Sequence, residues 1–241
     1  MTTPLKAKSS IEDIRKRFDA EVERFTNIET GQTATMDAPL VMDLITKAAV
    51  ASTPRIEKVL DIGCGAGNNT MKLLKLIGSF DCDLVDLSSK MLEKARQRIT
   101  AVNKKTTRII QGDFRTVNLN PPYDVIIAAA VLHHLRDDRD WENAFTRIYS
   151  LTAPGGSFWI TDLIKHETDP VQSFMWKRYG EYLTALQDQY YRDEVFAYID
   201  KEDSPRSVIY QLDLLRRVGF KHVEVLHKNG PCAAFGAIKE G

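Results

Sequence analysis

The stretch that decides the fold covers residues 58–92 and reads KVLDIGCGAGNNTMKLLKLIGSFDCDLVDLSSKML. Two apolar runs flank an amphipathic helix, and glycines occupy the turn between the first run and that helix. This order is typical of a βαβ unit, in which a helix joins two parallel strands. Glycines lack Cβ atoms and allow positive φ, so a ligand can approach the backbone of this turn closely. Asp86 ends the second run and is a candidate to hold such a ligand.

The whole chain has 241 residues, 43% of them hydrophobic, which suits one α/β domain with some additions. Basic and acidic residues balance at 33 each, so the overall charge favours neither a nucleic acid nor a membrane as partner. The longest apolar run, residues 125–132, is far shorter than the roughly 18 residues that cross a bilayer. The opening MTTPLKAKSS lacks the apolar segment of a secretory signal, and we expect a cytoplasmic protein.

The three cysteines, Cys64, Cys82 and Cys232, show no metal-ligand spacing. They fall in or beside predicted strands and turns. We therefore expect buried free thiols and no metal site.

Apolar runs and amphipathic segments alternate after residue 56 and predict a doubly wound, Rossmann-like α/β fold. Two final runs predict an antiparallel pair at the C-terminus, which makes a mostly parallel seven-stranded sheet. The predicted strands lie near 57–62, 80–86, 106–111, 123–129, 156–163, 222–226 and 232–238, and the helices between them near 67–77, 89–102 and 138–151.

We expect a single domain with four parts along the chain. These are an N-terminal helical cap (1–54), a cofactor-binding core (55–163), a helical insert (164–204), and a closing helix with the strand pair (205–241). Ser9 and Glu12 have the spacing of a capping box that opens the first helix. Ser204-Pro205 predicts the start of the closing helix, with proline at its first position.

The spacing of residues within the glycine turn limits which class of ligand it could bind. Asn68 stands where dinucleotide-binding folds have the third glycine of G-x-G-x-x-G, and no G-K-[ST] of a phosphate-binding loop follows. Asp61, directly before the turn, is unfavourable beside a pyrophosphate but suits an ammonium group. S-adenosylmethionine (SAM) has an adenosine, no phosphate and a cationic amino-acid tail, and it fits this pattern.

DIGCGAGN, residues 61–68, resembles motif I of the class I SAM-dependent methyltransferases. LVDLS (84–88), IIQGDF (109–114), YDVIIAAAVLHHL (123–135) and APGGSFWITDL (153–163) are similar to that family's segments along its second to fifth strands. The resemblance implies SAM as cofactor, S-adenosylhomocysteine as product, and a ribose whose hydroxyls bind Asp86. It also implies an adenine at Asp113 and Phe114. The full set of cofactor-binding residues that it implies is Asp61, Gly63, Cys64, Gly65, Asp86, Leu87, Asp113, Phe114 and Ala129.

Within that family the chain resembles the branch of carboxy-SAM synthase, which supplies tRNA wobble-uridine modification. The shared features are Arg17-Phe18-Asp19, the helical insert and the ending RRVGFKHVEVL (216–226). The synthases have an arginine where this chain has Leu214 and an asparagine where it has Ala129. Both departures favour methyl transfer from ordinary SAM to a small-molecule acceptor. A carboxy-SAM synthase-like or tRNA-modifying enzyme and a non-catalytic SAM-binding protein are the alternatives, and a homodimer is left open.

The acceptor site is expected beyond the fourth and fifth strands. Methyl transfer from a sulfonium requires alignment of the nucleophile, and a base only where the nucleophile starts protonated. His133 is the candidate catalytic residue, Asp162 and His166 are further candidates, and His134 is interpreted as satisfying backbone groups at the strand end.

Two segments are expected near that acceptor site. The aromatic insert, residues 174–198, is predicted as a lid or as packing, and Trp176 or Tyr179 with Phe18 and Phe25 would form the acceptor pocket. Residues 30–37 resemble the segment that closes over SAM in relatives, and a plain linker is the alternative.

Overall fold

A mixed sheet forms the centre of the computed structural model, which describes residues 3–27 and 32–241. Within these residues seven strands pair in the order β3-β2-β1-β4-β5-β7-β6. Neighbours from β3 to β5 are parallel, whereas β7 pairs antiparallel with both β5 and β6. The strands are β1 (Lys58–Ile62), β2 (Asp81–Asp86), β3 (Thr107–Gln111), β4 (Tyr123–Ala129), β5 (Thr152–Leu163), β6 (His222–Asn229) and β7 (Cys232–Ile238). The predicted Rossmann-like seven-stranded sheet is confirmed.

Nine α-helices are found in the described ranges, together with 3-10 turns at Leu5–Ala7 and Leu132–His134. None of the helices that the structure describes is both long enough and apolar enough to cross a membrane. The helices are α1 (Ile11–Ala20), α2 (Val22–Thr26), α3 (Ala38–Ser52), α4 (Asn68–Ile77), α5 (Ser89–Thr100), α6 (Asp138–Leu151), α7 (Asp169–Leu186), α8 (Gln189–Glu202) and α9 (Val208–Val218).

The sheet is buried on both faces because successive residues of a strand point to opposite sides. In β1, Val59 packs in the layer beneath α3, α4 and α5, whereas Leu60 and Ile62 pack in the layer beneath α6 and α9. The fully buried Trp159 and Phe158 divide in the same way along β5. Packing on both faces fixes the position of the strands and therefore of their carboxyl ends, where ligands of such sheets bind.

The insert is a pair of helices, α7 and α8, that lies beyond the carboxyl end of β5. A small core of its own contains the buried residues Tyr179, Leu183 and Ile199. Hydrogen bonds from Tyr179 Oη to the carbonyl of Ala34 (2.9 Å) and from Tyr182 Oη to that of Thr33 (2.7 Å) join it to the N-terminal part. The insert therefore covers the same edge of the sheet as the glycine turn.

Three local predictions need correction. The capping box that opens α1 is formed by Ser10 and Asp13, one residue later than Ser9 and Glu12, because Ser10 Oγ accepts from the Asp13 amide at 3.2 Å. The closing helix α9 is capped by Ser207, whose hydroxyl accepts from the Tyr210 amide, so Pro205 precedes the helix. β5 starts at Thr152 rather than near residue 156, with a register shift against β4.

Other local predictions agree with the structure. The three cysteines are free and buried, as expected. The first predicted helix, in contrast, is interrupted at Glu21 and forms α1 and α2.

Candidate functional site

The glycine turn connects β1 to α4, and its three glycines have positive φ angles of +62°, +51° and +81° at Gly63, Gly65 and Gly67. A Cβ on Gly63 would lie 2.7 Å from Val131 Cγ2, and one on Gly67 would lie 2.8 Å from Ile99 Cδ1. A Cβ on Gly65 would have no neighbour within 4 Å in the described part of the chain. Gly63 and Gly67 are therefore required by packing, whereas Gly65 keeps space free in front of the turn.

Asp86 ends β2 beside this turn, and both of its carboxylate oxygens are held by backbone amides. Oδ2 accepts from the Gly65 amide at 2.9 Å and Oδ1 from the Ser88 amide at 2.8 Å. Burial raises the pKa of Asp86 to about 6, although these amides lower it. The carboxylate is thus fixed in position and keeps lone pairs that can accept from a ligand's hydroxyls.

A narrow cavity of about 90 Å³, the glycine-turn cavity, lies against the turn. Six of the predicted cofactor-binding residues line it, namely Gly63, Cys64, Gly65, Asp86, Leu87 and Ala129. A larger cavity of about 260 Å³, the Asp113 cavity, adjoins it. Asp113 and Phe114 line this second space together with Gly63, Asp86 and Leu87, and the N-terminal residues Leu5, Ser9 and Ile14 cover it.

Asp61 lies behind the turn and is fully buried, so it is not among the residues that line these cavities in the described chain. Thr70 Oγ1 donates to its Oδ2 at 2.7 Å, and Oδ1 has no hydrogen-bond partner among the described residues. Burial raises the pKa of Asp61 to about 7. The structure therefore places Asp61 where it supports the turn from within.

Asp113 is engaged by its own neighbour, a feature that the sequence did not indicate. The Arg115 guanidinium donates to Oδ2 through Nη2 at 2.6 Å and also bridges to Asp140 at 2.9 Å. Burial raises the pKa of Asp113, but the hydrogen bonds and charge of Arg115 outweigh that effect and hold it below its usual value. Asp113 is consequently a fixed, ionised acceptor at the edge of its cavity.

A third cavity of about 340 Å³, the insert cavity, lies between the sheet edge and the insert. It shares Phe18, Phe25, Gln32 and Ala130 with the glycine-turn cavity, so the two spaces adjoin. Its other walls come from His133 and Asp162 on the sheet side, and from the rings Tyr179, Tyr191 and Tyr198 on the insert side.

The structure thus brings the predicted acceptor residues Phe18, Phe25, Tyr179 and His133 to one cavity. Trp176 is not part of that wall in the described chain and instead stacks on Phe196, with ring centroids 5.0 Å apart. Trp176 therefore packs within the insert and does not form part of the predicted acceptor pocket.

Segment 30–37 contributes in part to the same wall. Residues 30 and 31 lie outside the described residues, and Gln32, Ala34 and Thr35 line the insert cavity. His166 lies apart and contacts Gln172 and Lys228.

His133 follows β4 in the 3-10 turn and is anchored to Asp162 at the end of β5. Its backbone amide donates to Asp162 Oδ2 at 3.0 Å, and its Nδ1 forms a short contact with Oδ1 of the same carboxylate. Burial lowers the pKa of His133, but the charges of Asp203 and Asp162 prevail and raise it to about 9. The imidazole is therefore oriented, with Nε2 available on the other side.

His134 faces the cofactor side and lines both the glycine-turn and Asp113 cavities. Neither ring nitrogen has a hydrogen-bond partner among the described residues, so no bond to a backbone group supports the interpretation made from the sequence. Its ring packs edge-on against Phe18, with centroids 6.1 Å apart. Burial lowers the pKa of His134, which favours the neutral ring.

Asp203 is the site residue that sequence reasoning missed. It caps the C-terminus of α8 and is buried beside both imidazoles, with Oδ1 3.7 Å from His133 Nε2 and 3.1 Å from His134 Nδ1. No local pattern marks it, because the insert brings it to the end of β4 only in three dimensions.

Comparison with known proteins agrees with this geometry. Residues 59–156 match the family model described as a methyltransferase domain. A carboxy-S-adenosyl-L-methionine synthase from Shewanella halifaxensis is 28% identical over 134 residues, which cover 54% of this chain and 53% of that protein. A trans-aconitate 2-methyltransferase from Rhizobium leguminosarum is 30% identical over 102 residues, which cover 42% of this chain and 37% of the relative.

The match therefore spans about half the length of the synthase. Among solved structures, human N-acetylserotonin methyltransferase in complex with SAM is similar with a TM-score of 0.60. That likeness holds at 20% identity over 96% of this chain and 57% of the human one, and it shows the fold. The strand order, the glycine turn and the matching family model together support a class I SAM-dependent methyltransferase domain around residues 59–156.

Proposed function

We propose that the chain transfers a methyl group from SAM to a small-molecule acceptor that binds in the insert cavity. The observation that carries this proposal is the junction of the two spaces. The glycine-turn cavity contains Gly65 and Asp86, and it meets the insert cavity at Phe18, Phe25, Gln32 and Ala130. A cofactor held at the turn would lie directly beside a second space that is lined by tyrosine rings.

The residues of the turn fit SAM. The paired amides hold the Asp86 carboxylate where it can accept from two ribose hydroxyls, and Gly65 leaves room for the ligand. Asp113 and Phe114 offer an acceptor and a ring at the place expected for adenine. When bound, SAM supplies a methyl group already activated by its sulfonium.

The chain's own part in the reaction is to exclude water and align the acceptor. Tyr179, Tyr191 and Tyr198 form an aromatic wall suited to a flat or partly apolar molecule. His133, oriented by Asp162, faces this space and is the candidate catalytic residue. Its raised pKa favours the protonated ring near neutral pH, so it would donate a hydrogen bond to the acceptor there and could take up a proton only in the deprotonated form. The similarity to methyltransferases and the insert cavity beside the glycine turn support an enzyme rather than a non-catalytic SAM-binding protein.

A carboxy-SAM synthase-like activity is the second candidate, because the synthases are among the curated relatives. Leu214 is buried in the core beneath α9, and Arg216 and Arg217 are more than half exposed and paired with Asp213 and Glu142. These arginines do not replace the one that the synthases carry at the Leu214 position. We therefore expect ordinary SAM, and mass spectrometry of the copurified nucleotide distinguishes the two.

The proposal is tested first by calorimetry and then by turnover. SAM and S-adenosylhomocysteine should bind, whereas NAD and FAD should not, and tighter binding of NAD would overturn the cofactor assignment. Release of S-adenosylhomocysteine is then followed across a panel of phenols, amines and carboxylic acids. If no acceptor raises release above that of Asp86→Ala, the chain binds SAM without transferring its methyl group.

A further inference from the structure

His133, His134 and Asp203 meet in a way that their hydrogen bonds do not explain. One ligand-type atom from each, two imidazole nitrogens and a carboxylate oxygen, lies within 4.8 Å of the others. Asp203 is 4% exposed, and its Oδ1 has no hydrogen-bond partner among the described residues. The same holds for both ring nitrogens of His134 in the described chain. Buried polar atoms without partners are unfavourable, so this group calls for an occupant.

We propose that His133, His134 and Asp203 bind one divalent transition-metal ion in the wall between the cofactor and insert cavities. The separations suit three ligands about 2 Å from one ion, since Asp203 Oδ1 lies 3.7 Å from His133 Nε2 and 3.1 Å from His134 Nδ1. Direct hydrogen bonds explain them less well. The first separation is too long for a hydrogen bond, and the second, at 3.1 Å, is a close polar contact that leaves the other ring nitrogen of His134 without a partner among the described residues.

Asp162 supports the site from behind. Its contact with His133 Nδ1 orients the ring so that Nε2 lies on the side of Asp203, and an ion bound at Nε2 would displace a proton from the ring. A carboxylate that holds the outer nitrogen of a ligating histidine is a regular partner of metal sites. The backbone is fixed as well, because the Ser204 amide donates to the His133 carbonyl at 2.7 Å.

The cations nearest the site have partners of their own. Arg17 Nη2 lies 3.1 Å from Glu202 Oε2, Lys8 Nζ donates to the carbonyls of Asp200 and Asp203, and Arg136 donates to the carbonyls of Ser9 and Glu202. None of these side chains occupies the lone pairs of Asp203 Oδ1 or His134 among the described residues. The positive charges of Arg17, Lys8 and Arg136 should weaken the binding of any cation by repulsion. An ion that gains strongly from nitrogen ligands is therefore favoured over a hard ion that relies on charge.

Two imidazoles and one carboxylate select zinc, iron, cobalt or nickel over magnesium and calcium, which prefer oxygen ligands. Three protein ligands leave at least one position open. His133 and Asp203 both line the insert cavity, so an oxygen or nitrogen of a bound molecule could take that position. This last role rests on the proposed function, whereas the metal site itself does not.

The site is tested by metal binding without SAM, on full-length protein freed of any histidine tag and dialysed against a chelator. Zn²⁺ is titrated in competition with a chromophoric chelator, and Co²⁺ is added as a spectroscopic probe. We expect one equivalent of Zn²⁺, visible bands of low-symmetry Co²⁺, and Mg²⁺ unable to displace either ion. Asp203→Asn and His134→Gln should each weaken Zn²⁺ binding at least tenfold, and Asp162→Asn about tenfold.

His227→Gln is the matched control, because His227 and Asp37 form a half-exposed pair 2.8 Å apart that offers only two ligands. It should bind Zn²⁺ as the wild type does. The proposal is overturned if the wild type binds no more tightly than Asp203→Asn, or if His227→Gln abolishes binding. If Asp203→Asn fails to fold, as judged by circular dichroism, the wild-type Co²⁺ spectrum decides: its absence refutes the site. Loss of SAM binding with Zn²⁺ binding intact would contradict the proposed function alone.

Discussion

Replacing Gly65 with alanine separates the two uses of glycine in the turn. Gly65 has φ +51°, where a Cβ costs roughly 1–2 kcal/mol in folding free energy. The added methyl meets no protein atom within 4 Å in the described chain, so no packing clash adds to that cost. Against a typical stability of about 5–15 kcal/mol, the variant should remain folded.

The effect on SAM should be larger than the effect on folding. Gly65 lines the glycine-turn cavity and its amide holds Asp86 Oδ2, so a methyl group there takes ligand space and disturbs the ribose acceptor. We expect Gly65→Ala to weaken SAM binding at least tenfold, about 1.4 kcal/mol. Gly65→Val, which adds two further methyl groups, should abolish measurable binding.

Gly78 supplies the control. It caps α4 with φ +80° and ψ −153°, and a Cβ there also meets no atom within 4 Å in the described residues. Gly78→Ala should cost about 1–3 kcal/mol in stability, because few residues other than glycine adopt these angles. Its SAM affinity should stay within about twofold of the wild type. Calorimetry and thermal denaturation of both variants decide, and wild-type affinity in Gly65→Ala would show that the ligand does not lie against this turn.

Four further predictions concern Asp86, Asp61 and Tyr179. Asp86→Ala should weaken SAM binding by about 1.5–3 kcal/mol, measured by calorimetry at pH 8, and unchanged affinity would mean that the ribose lies elsewhere. Because burial raises the pKa of Asp86 to about 6, SAM affinity of the wild type should fall as the pH drops from 8 through 6, and Asp86→Asn should lose that dependence. Burial also raises the folded-state pKa of Asp61 to about 7, above roughly 3.9 in the unfolded chain, so its contribution to stability is complete below about pH 4 and is lost as the pH rises through 7. Asp61→Asn should therefore increase the free energy of unfolding at pH 8 more than at pH 5, as measured by urea denaturation at the two pH values, and the opposite order would contradict the buried, uncompensated carboxylate. Tyr179→Phe removes the hydrogen bond to the Ala34 carbonyl and should cost about 1 kcal/mol in stability with SAM affinity unchanged, whereas truncation to alanine should reduce turnover far more than SAM affinity.

Much of the fold could be predicted because it rests on local periodicity. Apolar runs and helix patterns lie within single segments, and the observed strands from β1 to β4 begin within one residue of the predicted positions. The glycine turn and Asp86 could be recognised for the same reason, since one βαβ unit brings them together. The predicted starts of α9 and β5 were wrong, because more than one nearby residue could have begun each element. Ser207 rather than Ser204-Pro205 caps α9, and β5 continues back through Pro154 to Thr152.

The different roles of the residues within the site were decided by the tertiary structure. The sequence shows three equivalent glycines, but a Cβ would meet Val131 at Gly63 and Ile99 at Gly67, whereas at Gly65 it would meet no atom of the described residues within 4 Å. It shows Asp113 without indicating that Arg115 would bind it and also pair with Asp140. The place of Asp203 in the site could not be predicted from the sequence, because it lies at the end of α8 and comes close to His133 and His134 only in the folded chain. A sequence pattern reports which side chains share a helix face or a strand, whereas the partners, burial and pKa of a side chain depend on segments that become neighbours only when the chain folds.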